Sequence, residues 1–231
     1  MSHYSENKWG LALSSTLRDE HRSDSNESER SESKGFTLIE LLVSIAIVSV
    51  ILTVVVSSQS TYNDGVVLAN LADEISSTIS QAQVYGIGVR EFSPGSSEFS
   101  ISYGLTFSLL GSGSNIAYLS FADRNGNKIY DGDWSCPIGG ASECLGKVDI
   151  TRNNFIESLC VVRTSGGDLC NVGRVDISFD RPSIEAQLLF FSTGGEPFNP
   201  ANIKGAKIVL KSPGGLTRLV TVYATGQVSA Q

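Results

Sequence analysis

Residues 34–58 read KGFTLIELLVSIAIVSVILTVVVSS, and this stretch decides what kind of protein the chain can be. From residue 36 to residue 56 nearly every side chain is aliphatic or small, and Glu40 is the only charged one. As an α-helix, about 20 residues span about 30 Å, the thickness of the hydrocarbon core of a bilayer. The stretch therefore predicts a transmembrane helix that carries one unexplained carboxylate near its start.

The chain as a whole is acidic and poor in histidine. It has 231 residues in all, a formal net charge of -7, four cysteines and two histidines, which suits one modest globular domain with additional segments. An acidic balance argues against general binding to phosphate groups. Residues 1–34 are rich in serine and in charge and almost lack large apolar side chains, so we expect this leader to be disordered.

The distribution of basic residues predicts the orientation of the helix in the membrane. Arg30 and Lys34 precede the apolar stretch, and no other Lys or Arg follows until Arg90. Positively charged flanks stay on the cytoplasmic side of a membrane span. The N-terminus should therefore be cytoplasmic and the remainder of the chain should lie outside.

Two simpler interpretations compete with this one. A secretory signal peptide has a shorter apolar region and a small-residue cleavage site, whereas VVVSSQS at residues 54–60 offers small residues without an Ala-x-Ala pattern. A plain one-pass anchor explains the length of the stretch but not Glu40. A carboxylate at the centre of a membrane helix costs roughly 2.5–3.5 kcal/mol on insertion scales, and less near the end of the helix.

KGFTLIE at residues 34–40, followed by LLVSIAIV, resembles the processing and methylation signal of type IV prepilins and type II secretion pseudopilins. The resemblance implies that a membrane prepilin peptidase cuts between Gly35 and Phe36 and methylates the new N-terminal Phe36. A glycine suits the cleavage site because a residue without Cβ lets the scissile backbone approach the enzyme closely. The resemblance also implies that Glu40, the fifth mature residue, pairs with the N-terminal amine of a neighbouring subunit. An ionised group in a low-dielectric environment is tolerated when an opposite charge neutralises it.

The resemblance further implies a domain order and a set of partners. Residues 1–35 would be the cleaved leader, residues 36–57 the transmembrane half of a long helix, residues 58–87 its amphipathic continuation, and residues 88–231 an exported β-rich domain. The implied partners are the prepilin peptidase, other pilin or pseudopilin subunits and the inner-membrane assembly platform. The chain would be a single-pass inner-membrane protein whose globular domain is periplasmic, or extracellular after assembly into a filament.

The helix is predicted to continue beyond the membrane with one apolar face. Apolar residues recur there at spacings of three and four, the period of a helix that packs on a core. These residues are Leu68, Leu71, Ile75, Ile79 and Ala82. Asn63, Asp64 and Gly65 predict a break, since Gly in a helix interior costs about 1 kcal/mol relative to Ala. The helix should end between Tyr85 and Gly88.

After the helix, short runs of β-branched and aromatic residues alternate with Gly, Pro, Asn and Ser, which predicts strands. The expected strands are residues 99–110, 116–121, 147–150, 159–163, 174–179, 187–191, 206–211 and 216–224. No second helix is apparent, so the predicted fold is α+β and pilin-like: one long helix packed on an antiparallel sheet or small β-sandwich. FADRNGNKIYDGD at residues 121–133 and VTVYATGQV at residues 220–228 resemble segments of the FimT/GspH branch of minor pilins and pseudopilins.

Four cysteines lie after the apolar stretch, in sequence rich in loops: Cys136, Cys144, Cys160 and Cys170. An even number in this context predicts two disulfides formed in an oxidising compartment. Three pairings are possible, and closeness in sequence favours the sequential one without deciding it. A zinc site is the alternative, although the spacing lacks a CxxC motif and no histidine lies nearby.

A calcium loop is one interpretation of residues 123–133. The oxygen ligands would come from Asp123, Asn125, Asn127, the backbone carbonyl of Ile129, Asp131 and Asp133. Lys128 and Trp134 stand where an EF-hand loop has its Gly and its bidentate Glu. The alternative is a turn between strands, in which Asp and Asn side chains bond to their own backbone.

Catalysis is not expected. Both histidines, His3 and His21, lie in the leader, so the mature chain would lack the base of Ser/His/Asp and Cys/His arrangements. Asp131 and Asp133 could in principle act as an acid–base pair, but their Gly-rich surroundings favour a solvated turn. No cofactor is expected apart from the calcium ion considered above.

The sequence predicts a structural subunit of a type IV pilus or a type II secretion pseudopilus. One alternative is a DNA-binding minor pilin, with a basic stripe made of Lys204, Lys207, Lys211 and Arg218 if their strands are adjacent. Another is a membrane-anchored β domain that does not polymerise.

Overall fold

The computed structural model describes residues 35–88, 95, 101–137 and 142–231 of the chain. The leader at residues 1–34 and the first part of the strand predicted at residues 99–110 lie outside the described residues. By compactness the chain divides into two units, Met1–Val48 and Ser49–Gln231. The first helix, α1, contributes residues to both.

Helix α1 covers Leu38–Ile87 without interruption. The break predicted at residues 63–65 is therefore wrong. At this point the helix packs closely against the turn between two later strands, where a Cβ on Gly65 would lie 3.6 Å from Cδ1 of Leu216. Tertiary packing thus outweighs the low helix propensity of glycine. The helix ends where predicted, and its end is followed by a bond from the N–H of Gly88 to the carbonyl of Val84, 2.9 Å long.

Ten strands follow in the described part of the chain. They are β1 Ser102–Ser108, β2 Ala117–Asp123, β3 Cys144–Asp149, β4 Phe155–Arg163, β5 Leu169–Phe179, β6 Gln187–Ser192, β7 Pro197–Phe198, β8 Ile203–Lys211, β9 Thr217–Tyr223 and β10 Val228–Ala230. All their pairings are antiparallel, so the α+β prediction is confirmed. β7 and β10 were not predicted from the sequence, because two or three residues are too few for an alternating pattern to show.

Strand β5 organises the sheet. The order of strands is β10-β9-β8-β4-β5-β1-β2-β3, and β6 also pairs with β5 and carries β7. One edge of β5 pairs with β1. Residues 174–178 of β5 also pair with β6, on the edge opposite β1. β4 pairs with β5 around residues 169–172, where Val172 also pairs with β6, so β5 contacts three other strands.

One face of the sheet packs on the second half of α1. The predicted apolar stripe is confirmed, since Leu68, Leu71, Ile75, Ile79 and Ala82 are all buried. They join one hydrophobic core with inward-facing strand residues such as Leu105, Ile177 and Ile208. Burying each large aliphatic side chain contributes about 1.5–3 kcal/mol, so this stripe is what fixes the helix to the sheet.

A second, smaller core forms around the segment that joins β2 to β3. It consists of Leu119, Phe121, Tyr130, Cys136 and Cys144, with Trp134 packed against it. Leu119 and Phe121 alternate along β2 with Tyr118 and Ala122, which belong to the helix-facing core. Because successive strand side chains point to opposite faces, the segment after β2 covers the face of the sheet opposite α1.

Two disulfides hold these layers, in the sequential pairing that closeness in sequence favours. Cys136–Cys144 closes the segment between β2 and β3. Cys160–Cys170 joins β4 to β5 where the register of that pair shifts, between Leu159 and Val161. All four cysteines are used in this way, which leaves no thiolate for the zinc alternative.

The two glycines of the packed part of α1 should respond in opposite ways to alanine. At Gly86 a Cβ would lie 2.7 Å from the carbonyl carbon of Phe179, so Gly86→Ala forces the helix from β5 and should destabilise the fold by about 1–3 kcal/mol. Gly65→Ala is the matched control, because its Cβ fits at 3.6 Å and helix propensity improves by up to about 1 kcal/mol. Denaturant unfolding of the two variants in detergent measures both changes. Equal stability would show that α1 does not approach β5 as closely as described.

Candidate processing and assembly site

The predicted cleavage site lies in open backbone just before α1. Gly35 and Phe36 precede the first helical residue, Leu38. A Cβ built on Gly35 would meet no atom within 4 Å, and the side chain of Phe36 is 79% exposed. Among the described residues, nothing shields the peptide bond between Gly35 and Phe36 from a processing enzyme.

Thr37 caps the start of the helix and thereby places Glu40. The hydroxyl of Thr37 accepts a bond from the backbone N–H of Glu40 at 3.3 Å, and its carbonyl accepts one from Leu41 at 3.1 Å. Thr37 and Glu40 thus occupy the first and last positions of a T-x-x-E capping sequence. The carboxylate of Glu40 belongs to the first turn of α1, where the positive end of the helix dipole stabilises a negative charge.

The residues that follow Glu40 are apolar all round the helix. The most apolar 18-residue window of α1 has no residue buried inside the chain. Ile39, Ile45, Ile51 and Val56 are between 52% and 68% exposed. A helix that is hydrophobic on every side needs lipid or other apolar helices around it.

The few polar side chains in this run are satisfied within the helix. The hydroxyl of Ser44 donates to the carbonyl of Glu40 at 2.7 Å, and that of Thr53 donates to the carbonyl of Ser49 at 2.8 Å. Each bond follows the i to i−4 pattern of serine and threonine in helices. These hydroxyls therefore present no unpaired donor to an apolar environment, and Glu40 is the only charged side chain in the run.

Comparison with known protein families identifies this region. Residues 30–56 match the family model described as the prokaryotic N-terminal methylation motif. This match supports a type IV prepilin-like protein. The match covers the predicted cleavage site, the capping sequence and most of the exposed apolar run. Comparison with curated proteins and with solved structures found no match.

The motif has direct implications for the chain. The motif implies processing by a prepilin peptidase and assembly with other pilins, and pilin-type proteins have a structural role. The exposed apolar helix is consistent with anchoring in a membrane.

The loop at residues 123–133 places its predicted calcium ligands in a network of N–H donors. Asp123 accepts backbone bonds from Gly126, Asn127 and Lys128 at 2.8–3.1 Å. Asp131 accepts the side-chain amides of Asn125 at 2.7 Å and Asn127 at 2.6 Å. Asp and Asn thus bond to their own loop, as the turn interpretation expects.

The remaining candidates of this loop are placed in the same way. The N–H of Ile129 donates to the side-chain oxygen of Asn127 at 2.8 Å. Asp133 accepts the N–H of Ser135, and this bond lowers the pKa of the Asp133 carboxyl. In the described residues no group of three or more His, Cys, Asp or Glu side chains is placed to hold a metal ion. Calcium binding stays a prediction from the sequence.

Sequence reasoning missed the buried carboxylate that holds this loop on the sheet. Asp176 of β5 is fully buried and accepts bonds from the hydroxyl of Thr106 at 2.5 Å and from the backbone N–H of Tyr130 at 3.1 Å. Arg174 donates to both of its oxygens and, at 2.6 Å, to the carbonyl of Tyr130. Burial raises the pKa of the Asp176 carboxyl, and the bonds from Arg174, Thr106 and Tyr130 oppose that rise.

The basic residues of the DNA hypothesis do lie on neighbouring strands, but two of them are paired with acids. Lys204, Lys207 and Lys211 are on β8 or at its start, and Arg218 is on β9, which pairs with β8. Lys207 forms an ion pair with Asp168, and Lys211 forms one with Glu157. The ammonium of Lys204 lies 5.4 Å from the ring centre of Tyr223. These acids reduce the positive field that binding to a phosphate backbone requires.

Removing the charge of Asp176 should loosen the loop and cost much of the stability. Asp176→Asn leaves the Arg174 guanidinium, only 20% exposed, without its counter-charge, and breaking a buried pair in this way costs about 3–5 kcal/mol. Asp168→Asn, which breaks the surface pair with Lys207, is the control and should cost no more than about 1 kcal/mol. Denaturant unfolding measures both losses, and amide hydrogen exchange at Tyr130 reports the loop. If the two variants lose similar amounts of unfolding free energy, the buried ion pair of Asp176 does not stabilise the fold more than the surface pair does.

Proposed function

We propose that the chain is a structural subunit, a minor pilin or pseudopilin, of a type IV pilus or a type II secretion pseudopilus. The observation that carries the proposal is the exposed apolar start of α1, which coincides with the methylation motif and holds Glu40 in its first turn. The exposed peptide after Gly35 supports cleavage there, with N-methylation of the new N-terminal Phe36.

Glu40 provides the physical basis for assembly. Alone in a bilayer, its carboxylate is a costly charge, whereas the positive N-terminal amine of a second processed subunit can neutralise it. Cleavage after Gly35 creates that amine next to the apolar helix. We therefore propose that processing and docking are linked, since the uncut leader leaves no free amine at residue 36.

In this proposal, the N-terminus starts on the cytoplasmic side of the inner membrane and the sheet is displayed outside, where its disulfides form. The inner-membrane assembly platform and sibling subunits are the proposed partners. The short segments at residues 121–133 and 220–228 support a place in the FimT/GspH branch. The first of them includes the loop on Asp176, and the second spans the end of β9, the turn to β10 and the start of β10.

Blocking cleavage tests the processing step. Gly35→Leu should leave the full-length chain in the membrane, because a branched side chain keeps the scissile bond from the peptidase. Gly111→Leu is the control, since a Cβ at this glycine also meets no neighbouring atom and the site lies far from the motif in sequence. Mass spectrometry of the membrane fraction should find methylated Phe36 at the start of the control chain. An unmethylated N-terminus near residues 57–58 would instead identify a secretory signal and overturn the proposal.

Changing Glu40 should separate membrane insertion from assembly. Glu40→Val removes the costly charge, so the processed subunit should insert at least as well, while its incorporation into filaments should fall to background. Ser44→Val, one turn further along the same helix, is the matched control and should assemble normally because it removes a hydroxyl already satisfied by Glu40's carbonyl. Membrane fractionation measures insertion, and immunodetection of sheared filaments measures assembly. Normal incorporation of Glu40→Val would refute the assembly role of the charge.

A further inference from the structure

The turn between β8 and β9, residues 212–216, is uncharged and has a fixed shape, and its residues 213–216 are exposed. The N–H of Ser212 donates to the carbonyl of Leu216 at 2.9 Å, and the N–H of Leu216 donates back to the Ser212 hydroxyl at 3.1 Å. The N–H of Gly215 also bonds to the carbonyl of Ser212 at 2.9 Å. These bonds hold Pro213 and Leu216 at the surface, and Leu216 is 37% exposed although it is a large apolar residue.

Two basic residues flank this uncharged turn. Lys211 is the last residue of β8, and Arg218 is the second residue of β9. In the register of the hairpin, Lys211 is opposite Thr217 and Arg218 is opposite Leu210. Lys211 is paired with Glu157, and the side chain of Arg218 is exposed. The turn thus has apolar side chains at its tip and the guanidinium of Arg218 next to the tip. This arrangement suits the surface of a lipid bilayer, where phosphate groups lie outside the apolar acyl chains.

The turn lies beside α1 at Gly65, on the membrane side of the packed half of the helix. A Cβ on Gly65 would be 3.6 Å from Leu216, and one on Gly214 would be 3.3 Å from the carboxylate of Asp64. Two further apolar or aromatic residues of this part of α1 are exposed: Tyr62 at 72% and Val66 at 40%. The first buried residue of the core stripe, Leu68, follows them.

The sequence indicates where the outer boundary of the membrane falls. No charged residue occurs between Glu40 and Asp64. A tilted helix can place up to about 25 residues in the hydrocarbon core, so a span that starts at residue 36, with Glu40 inside it, ends near residue 60. Gly65 is then about 7 Å further along a helix that rises 1.5 Å per residue, and the headgroup layer extends about 5–8 Å beyond the core. Tyr62 falls in the same layer, where aromatic residues are enriched.

We propose that the β8–β9 turn, residues 212–216, rests in the headgroup layer of the outer surface of the membrane while the subunit awaits assembly. Leu216 and Pro213 lie against the lipid, and Arg218 faces the phosphate groups. The exposed Tyr62 and the neighbouring turn thus form one membrane-contacting surface. Asp64 lies next to it, so the contact depends on apolar burial more than on attraction to anionic lipid. This inference rests on the membrane insertion of the start of α1 proposed above.

Fluorescence quenching by spin-labelled lipids tests the contact on the full chain in vesicles. An environment-sensitive fluorophore is attached at Leu216→Cys, at Pro213→Cys or, as the matched control, at Thr225→Cys. Thr225 is exposed in the turn after the other end of β9, about 20 Å from Leu216 at the rise of a strand. We expect lipids labelled at the headgroup or upper acyl chain to quench the labels at 213 and 216 strongly and the label at 225 little. Non-reducing peptide mapping verifies that both native disulfides are intact in each variant.

The outcomes separate this inference from the proposed function. Carbonate-resistant flotation of the chain with the vesicles reports insertion of the helix by itself. If the chain floats and the label at 216 is quenched no more than the label at 225, the turn does not touch lipid and only the present inference fails. Failure to float would overturn the membrane insertion and the turn contact together. A second check uses Leu216→Asp with the label at Pro213→Cys, in which the quenching should be largely lost.

Discussion

The apolar surface at the start of α1 is the constraint on which the other features depend. In the described residues nothing covers the side chains between residues 38 and 56, and apolar surface of that extent is unstable in water. A bilayer and a bundle of like helices can both cover it. Glu40 makes these two environments unequal, because lipid cannot neutralise a carboxylate and a neighbouring N-terminal amine can. In the function proposed above, the same helix therefore remains in the membrane before assembly and favours other subunits afterwards.

A second constraint is that both faces of the sheet must be covered. The apolar stripe of α1 covers one face. The opposite face carries polar groups, among them Asp176 and Thr106, and the segment after β2 buries them by supplying the backbone of Tyr130. A buried carboxylate is tolerated only when its bonds are satisfied. The network around Asp176 thus specifies one position for the segment, which the disulfide Cys136–Cys144 then closes.

The features that could be predicted from sequence are those encoded by neighbouring residues. The run at residues 36–56 follows from its composition, and the stripe from Leu68 to Ala82 follows from helical spacing. Asp176 could not be found this way, since Thr106 and Tyr130 are 70 and 46 residues distant from it in the chain. The predicted break at Gly65 failed for a related reason. Propensity describes the isolated helix, while the contact with Leu216 comes from a turn that follows much later.

Within Ser49–Gln231, two glycines of α1 let the helix pack closely on the sheet, so the helix and the sheet should move together. Near one end of the packed segment Gly65 lies against Leu216, and near the other end Gly86 lies against the backbone of Phe179. Between these points the buried stripe belongs to the same core as the strands. Interiors packed at this density do not slide without losing many contacts at once. The packed half of α1 and the sheet should therefore move as one body.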